Sequence, residues 1–129
     1  MTMTTALWCV LAAMVLPYFF TIYAKTSSGF KPKHNHAPRD FLATAEGAAK
    51  RANWAQQNSW EVNPAFFAAV IIAQMVGTLA QGTLDTLAIA FVISRVLYGL
   101  LYIWDLALLR SLVWFVGLAI IVALFVLSA

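Results

Sequence analysis

Two stretches of this sequence carry most of the side chains able to do chemistry, and in both the spacing is helical. Arg51, Gln56, Asn58 and Glu61 make up the first; Arg95, Tyr98, Tyr102 and Arg110 make up the second. Residues three, four or seven apart lie on one face of a helix, so Asn58 with Glu61, and Arg95 with Tyr98 and Tyr102, each form a polar stripe. Two uses are open to Arg95. It either closes a structural ion pair with Glu61, the leading acceptor, or lines a polar pocket for an anionic ligand. Arg110 opens an apolar run, where a cation opposes the helix dipole. It therefore either snorkels to lipid phosphate or holds an anion.

Metal chemistry finds no support. His34 and His36 are two residues apart in a polar loop and supply at most two ligands, with no third nearby. The single cysteine, Cys9, lies in an apolar run and reads as a small buried filler. No metal site is expected.

These few polar residues sit in an apolar chain. Of 129 residues, 63% are hydrophobic and only 10% charged, with a mean hydropathy of +0.83. A soluble domain carries roughly 25% charged residues, so the natural solvent for this chain is a bilayer. The net charge of +3 does not point to nucleic acid. Most basic residues fall between Lys25 and Arg51, and neither a basic helix nor an aromatic-plus-basic platform is present.

Four segments are apolar and long enough to cross a hydrocarbon core of about 30 Å: residues 6–24, 62–81, 84–104 and 110–128. The first lacks a preceding positive region and a small-residue cleavage site, so it reads as a true span rather than a signal peptide. Lys25, Lys31, Lys33, Arg39, Lys50 and Arg51 all lie between spans one and two, and basic loops stay inside. Residues 25–53 are therefore expected in the cytoplasm and both termini outside, in the periplasm if the membrane is a bacterial inner membrane. Trp54, Trp60, Trp104 and Trp114 read as interfacial anchors.

Within the loop, residues 26–38 should be irregular. A helix capped by Asp40 is expected to run straight into span two, supported by a Glu46–Lys50 pair and kinked at Pro64. Span two carries a ladder of small residues, Ala65, Ala69, Ala73 and Gly77, which lets helices approach closely in lipid. On span three, Arg95 lies ten residues before Asp105, about 15 Å into the membrane at the usual helical rise. An unpaired arginine there costs several kcal/mol, so it should face the bundle. The whole predicts a single all-α domain, an integral membrane four-helix bundle.

The segment from Arg51 through Asn58 and Glu61 to Pro64 resembles the signature of the MAPEG family, the membrane-associated proteins of eicosanoid and glutathione metabolism. In that signature an arginine is followed seven residues later by Asn, then by Glu at plus three and Pro at plus six. The later stretch Arg95, Tyr98, Tyr102, Arg110-Ser-Leu-Val-Trp-Phe-Val-Gly is similar to the family's third and fourth helices. This resemblance implies a homotrimer that binds glutathione between subunits near the cytoplasmic face. It also implies a transferase or peroxidase acting on small lipophilic electrophiles that arrive from membrane lipid. Under it, Arg51 and Arg95 would pair with the carboxylates of glutathione and Glu61 with its amine. Gln56 and Asn58 would give hydrogen bonds, and Tyr98 and Tyr102 would line the cleft. Arg110 would be catalytic, stabilising the thiolate. Where transferases of the family have a further arginine and a tyrosine, this sequence has Trp54 and Val62. The alternative is thus a noncatalytic member that binds a ligand or partner without turnover. A small proton-coupled exporter is disfavoured, because residues 6–24 contain no acidic side chain.

Overall fold

Lipid gives the backbone no hydrogen-bond partners, so a spanning segment must satisfy its peptide groups internally. The computed structural model describes residues 1–129 and is entirely helical. Four long helices are apolar enough to cross a membrane: α1 (Thr5–Ser27), α3 (Gly47–Val76), α4 (Gln81–Ile103) and α5 (Ala107–Ser128). A single 3-10 turn (Pro32–His34) and a short helix α2 (Pro38–Ala43) lie between α1 and α3. The protein is a multi-pass integral membrane protein.

The central core draws on all four long helices: Ala6, Cys9 and Ala13 of α1, Phe66, Ala69 and Val70 of α3, Leu84 and Phe91 of α4, and Ile120 and Leu124 of α5. Phe66 and Phe91 stack with ring centres 3.9 Å apart. Cys9 is a free, buried thiol in this core. Nearer the loop end, Phe20 packs with Ala55 and Tyr98. Gly99 admits it: a Cβ there would sit 1.9 Å from the Phe20 ring.

The small-residue ladder is half as expected. Ala69 and Ala73 are buried, whereas Ala65 and Gly77 are exposed. The helix also ends sooner than residue 81. Gly77 adopts φ +74°, the left-handed conformation that glycine reaches without steric penalty, and stops α3 after Val76. Gln81 instead begins α4.

Polar side chains within the spans are spent on backbone and on one another. Pro17 lies inside α1 and has no N–H to donate to the carbonyl of Ala13. Asn63 of α3, itself buried, donates its Nδ2 to that carbonyl at 2.9 Å. At the end remote from the loop, Asp85 accepts the backbone N–H of Ala6 at 2.9 Å, placing an anion at the start of α1. Gln81 donates to Asp85 and Gln74 to Gln81, each at 2.8 Å, and Thr4 donates to Gln74, also at 2.8 Å. This chain of bonds ties α1, α3 and α4 at that end.

The segment after α1 is more ordered than its composition implies, and the amphipathic helix is not continuous. Pro38 rather than Asp40 starts α2, and residues 44–46 break the helix before α3 begins. Lys50 lies over the Trp54 ring, 5.2 Å from its centre, in place of the expected pairing with Glu46. Phe41 meets Phe30 edge-on at 5.1 Å and His34 at 4.4 Å, and Lys25 sits 4.6 Å over Phe30. The His34 Nδ1 accepts the backbone N–H of Lys31 at 2.9 Å. Leu42 then buries itself with Ala24 and Ala52, clamping α2 onto α1 and α3.

The bond from Asn63 makes a measurable prediction. Asn63→Ala should lower stability by about 1 kcal/mol, the usual worth of such a bond between membrane helices. In a Pro17→Ala background residue 17 regains its own N–H for Ala13, so the same substitution should cost less. Unfolding in mixed micelles, followed by tryptophan fluorescence, compares the two; equal losses would contradict this role for Asn63.

Candidate functional site

The polar stripes of α3 and α4 face each other at the loop end, and Arg95 lies behind them. It is only 3% exposed. Its Nη2 donates to Asn58 Oδ1 at 2.8 Å and to Ser59 Oγ at 3.1 Å, while Ser59 donates in turn to the Ala55 carbonyl at 2.9 Å. The guanidinium carbon lies 4.2 Å over the Tyr98 ring. The Arg95 Nε is buried without a partner. Arg95 therefore does not take Glu61 as its acceptor, as the sequence led us to expect: α3 brings the shorter Asn58 and Ser59 side chains to it, while Glu61 is exposed. Because the guanidinium can only donate, it fixes the Asn58 amide with its oxygen inward and leaves the Nδ2 free to point elsewhere.

Arg51 is also used within the chain. Its Nε and Nη2 both donate to the carbonyl of Ile103, at 3.1 and 2.9 Å. Ile103 is the last residue of α4, whose terminal carbonyls have no partner within the helix. The cation thus caps the negative end of that helix.

Beside these arginines, two cavities share one wall. Asn58, Tyr98 and Tyr102 line both. The first, of about 330 Å³, is completed by Trp54, Gln57 and Glu61. The second, of about 230 Å³, is completed by Arg110, Ser111, Trp114 and Phe115. Tyr98 and Tyr102 meet edge-on at 5.6 Å. Arg110 lies over Tyr102, 4.3 Å from its ring centre, and Trp54 approaches Tyr102 at 6.1 Å. One cavity therefore offers a carboxylate and carboxamides. Beyond the shared wall, the other offers a cation, a hydroxyl and two aromatic side chains. Together they suit a ligand with an amine and peptide-like groups at one end and a developing negative charge at the other.

A third cavity, of about 400 Å³, lies between α2 and α3, lined by Arg39, Leu42, Asn53, Gln56, Gln57, Trp60 and Glu61. Gln56 faces it, donating to Asn53 Oδ1 at 2.9 Å and accepting from Trp60 Nε1 at 3.1 Å.

Of the residues singled out from the sequence, Asn58, Glu61, Tyr98, Tyr102 and Arg110 converge on the paired cavities, and Gln56 lies on the adjoining one. Arg51 and Arg95 are turned to backbone and to Asn58. Gln57 and Ser111 escaped the sequence reading. Gln57 is legible in retrospect, four residues before Glu61 on the same helical face; Ser111 depends on how α5 docks, which no local pattern reveals.

Arg95 should tolerate a charged partner at position 58 better than an apolar one. Asn58→Leu strands the guanidinium with Ser59 alone and should cost about 2 kcal/mol or more, whereas Asn58→Asp supplies an opposite charge and should keep most of the stability. Melting of the two variants in detergent measures the difference; Asn58→Leu melting no lower than Asn58→Asp would contradict this arrangement.

The family model described as MAPEG family matches residues 5–129, essentially the whole chain. Comparison with curated proteins and with solved structures gives no match.

Proposed function

The chain belongs to the MAPEG family, and from that premise we propose that it is a glutathione-dependent transferase or peroxidase-like membrane protein acting on lipophilic electrophiles. The single observation that carries this reading is the shared wall of Asn58, Tyr98 and Tyr102. It joins a carboxylate-bearing cavity to one holding Arg110 and two aromatic side chains. Glutathione has an amine for Glu61 and amide groups for Asn58 and Gln57. Its thiol would lie toward Tyr102 and Arg110. There the guanidinium would stabilise the thiolate left when the thiol proton passes to water, and the thiolate would displace a leaving group from an electrophile entering from lipid. Trp114 and Phe115 give the electrophile an apolar surface.

In this reading the protein is a homotrimer, and the exposed Glu61 and Gln57 are completed by a neighbouring protomer. The basic loop lies in the cytoplasm by the positive-inside tendency, so the site opens toward the compartment where thiols stay reduced. A bacterial inner membrane with both termini in the periplasm fits this orientation.

A noncatalytic member that binds its ligand without turnover is the second reading. One observation favours it: Arg51 is spent on Ile103, which leaves Arg110 as the sole cation on the paired cavities.

Two substitutions test the proposal. Glu61→Gln keeps the shape but removes the counter-charge of the amine, so glutathione binding measured by calorimetry should weaken about tenfold while the trimer persists. Loss of the trimer instead would make Glu61 structural. Arg110→Ala should lower turnover far more than affinity, because it acts on the thiolate rather than on the bound peptide. Unchanged turnover in that variant would remove Arg110 from the chemistry.

A further inference from the structure

Most of the charge between α1 and α3 is positive, yet one cavity there is lined by no cation. It lies where the end of α1 meets the break between α2 and α3 and has a volume of about 310 Å³. Ser27, Ser28, Phe41, Thr44 and Glu46 line it, together with the small, buried Ala45 and Ala49. Its oxygens are set to accept. The Ser27 hydroxyl donates to the Tyr23 carbonyl, and the Thr44 hydroxyl donates to the Phe41 carbonyl at 2.7 Å. With their protons given to backbone, both hydroxyls keep lone pairs for an incoming donor. Glu46 immediately precedes α3 but does not turn its carboxylate onto the start of that helix. The end of α1 adds the negative pole of a helix dipole.

The ammonium groups of the chain itself are held elsewhere. Lys50, one turn after Glu46, lies over the Trp54 ring at 5.2 Å, and Lys25, one turn before Ser28, lies over the Phe30 ring at 4.6 Å. A carboxylate and several acceptor oxygens are thus left without a cation. A primary ammonium answers them with three N–H donors. A quaternary ammonium has no such donor and is recognised by a cage of aromatic faces, whereas this cavity has Phe41 alone. Phe30 meets Phe41 edge-on at 5.1 Å, so Lys25 stands one ring beyond the cavity, where a phosphate linked to the ammonium finds its cation. The depth is also right. Helix α1 has 23 residues, about 34 Å at the usual rise, against about 30 Å of hydrocarbon. Its last residues therefore emerge among lipid headgroups.

We propose that this cavity binds the primary ammonium of a phosphoethanolamine lipid headgroup, with Glu46 as its counter-charge, the Ser27 and Thr44 hydroxyls as acceptors and Lys25 on the phosphate. The inference stands apart from the glutathione reading, since none of these residues lines the paired cavities. A headgroup seated there joins the end of α1 to the start of α3, so the lipid stabilises the loop end by binding the folded state.

The test uses the full-length protein in detergent micelles, with bound lipid counted by native mass spectrometry. Dioctanoyl phosphatidylethanolamine and dioctanoyl phosphatidylcholine share chains and phosphate and differ in methylation of the nitrogen. Wild type should bind the ethanolamine lipid about tenfold more tightly. Glu46→Gln should bring the two lipids close to parity, and Thr44→Val should reduce the preference in the same direction. Lys25→Gln should weaken both lipids alike, because it acts on the phosphate they share. Without lipid, Glu46→Gln should melt as wild type does. Equal binding of the two lipids by wild type overturns the proposal, and so does a preference undiminished in both Glu46→Gln and Thr44→Val. Free phosphoethanolamine, which has no acyl chains, should displace the ethanolamine lipid only at far higher concentration. Displacement at equal concentration would make a soluble amine the occupant and overturn the assignment to lipid.

Discussion

Hydrocarbon cannot answer a hydrogen bond, and the pairing of most polar groups inside this bundle follows from that. Pro17 opens a gap in α1, and Asn63 fills it from α3. The start of α1 is capped by Asp85 from α4, and the end of α4 by Arg51 from α3. Thr78 donates to the Ser128 carbonyl at 2.8 Å, closing the end of α5 in the same manner. Since apolar side chains gain little by leaving lipid for one another, such bonds and close packing must set which helices are neighbours. The stacked Phe66 and Phe91 and the Phe20 ring against Gly99 supply that packing.

The same constraint sorts the arginines by role. Those deepest in the structure are consumed: Arg95 by Asn58 and Ser59, Arg51 by the end of α4. Those at the rim, Arg110 and Arg39, keep their charge available, the first resting on Tyr102 and the second unpartnered. Arg95 thus acts on the cavities indirectly, by holding the one carboxamide, Asn58, that both cavities share. A buried arginine with a single acceptor amide orients it more firmly than a solvated partner would, because releasing it leaves a charge in a medium that cannot stabilise it.

Much of this fold was legible in the sequence, for reasons specific to membranes. Long uncharged runs identify spanning helices directly, and the helical spacing of Asn58 with Glu61 and of Arg95 with Tyr98 and Tyr102 marked the stripes that line the cavities. The ends of helices were less legible: Gly77 stops α3 by a left-handed turn, whereas composition alone carries the span on toward residue 81. Acceptor choice was not legible at all. Glu61 carries the obvious opposite charge, yet Arg95 takes Asn58 and Ser59, because geometry between two helices rather than charge decides which side chains it reaches. The loop misled for a different reason. Its Pro, Gly and His content signals irregularity, but Phe30, His34 and Phe41 are spaced to form a small aromatic cluster once Leu42 is buried, and such a cluster exists only in three dimensions.

On the proposed reading, the polar cavities of this membrane bundle bind glutathione and activate its thiol. The most direct test is titration of glutathione into the purified wild-type protein by calorimetry, with ultraviolet absorbance of the thiolate followed on the same sample. Saturable binding accompanied by thiolate formation is the predicted result. Absence of any binding at millimolar glutathione would contradict the claim.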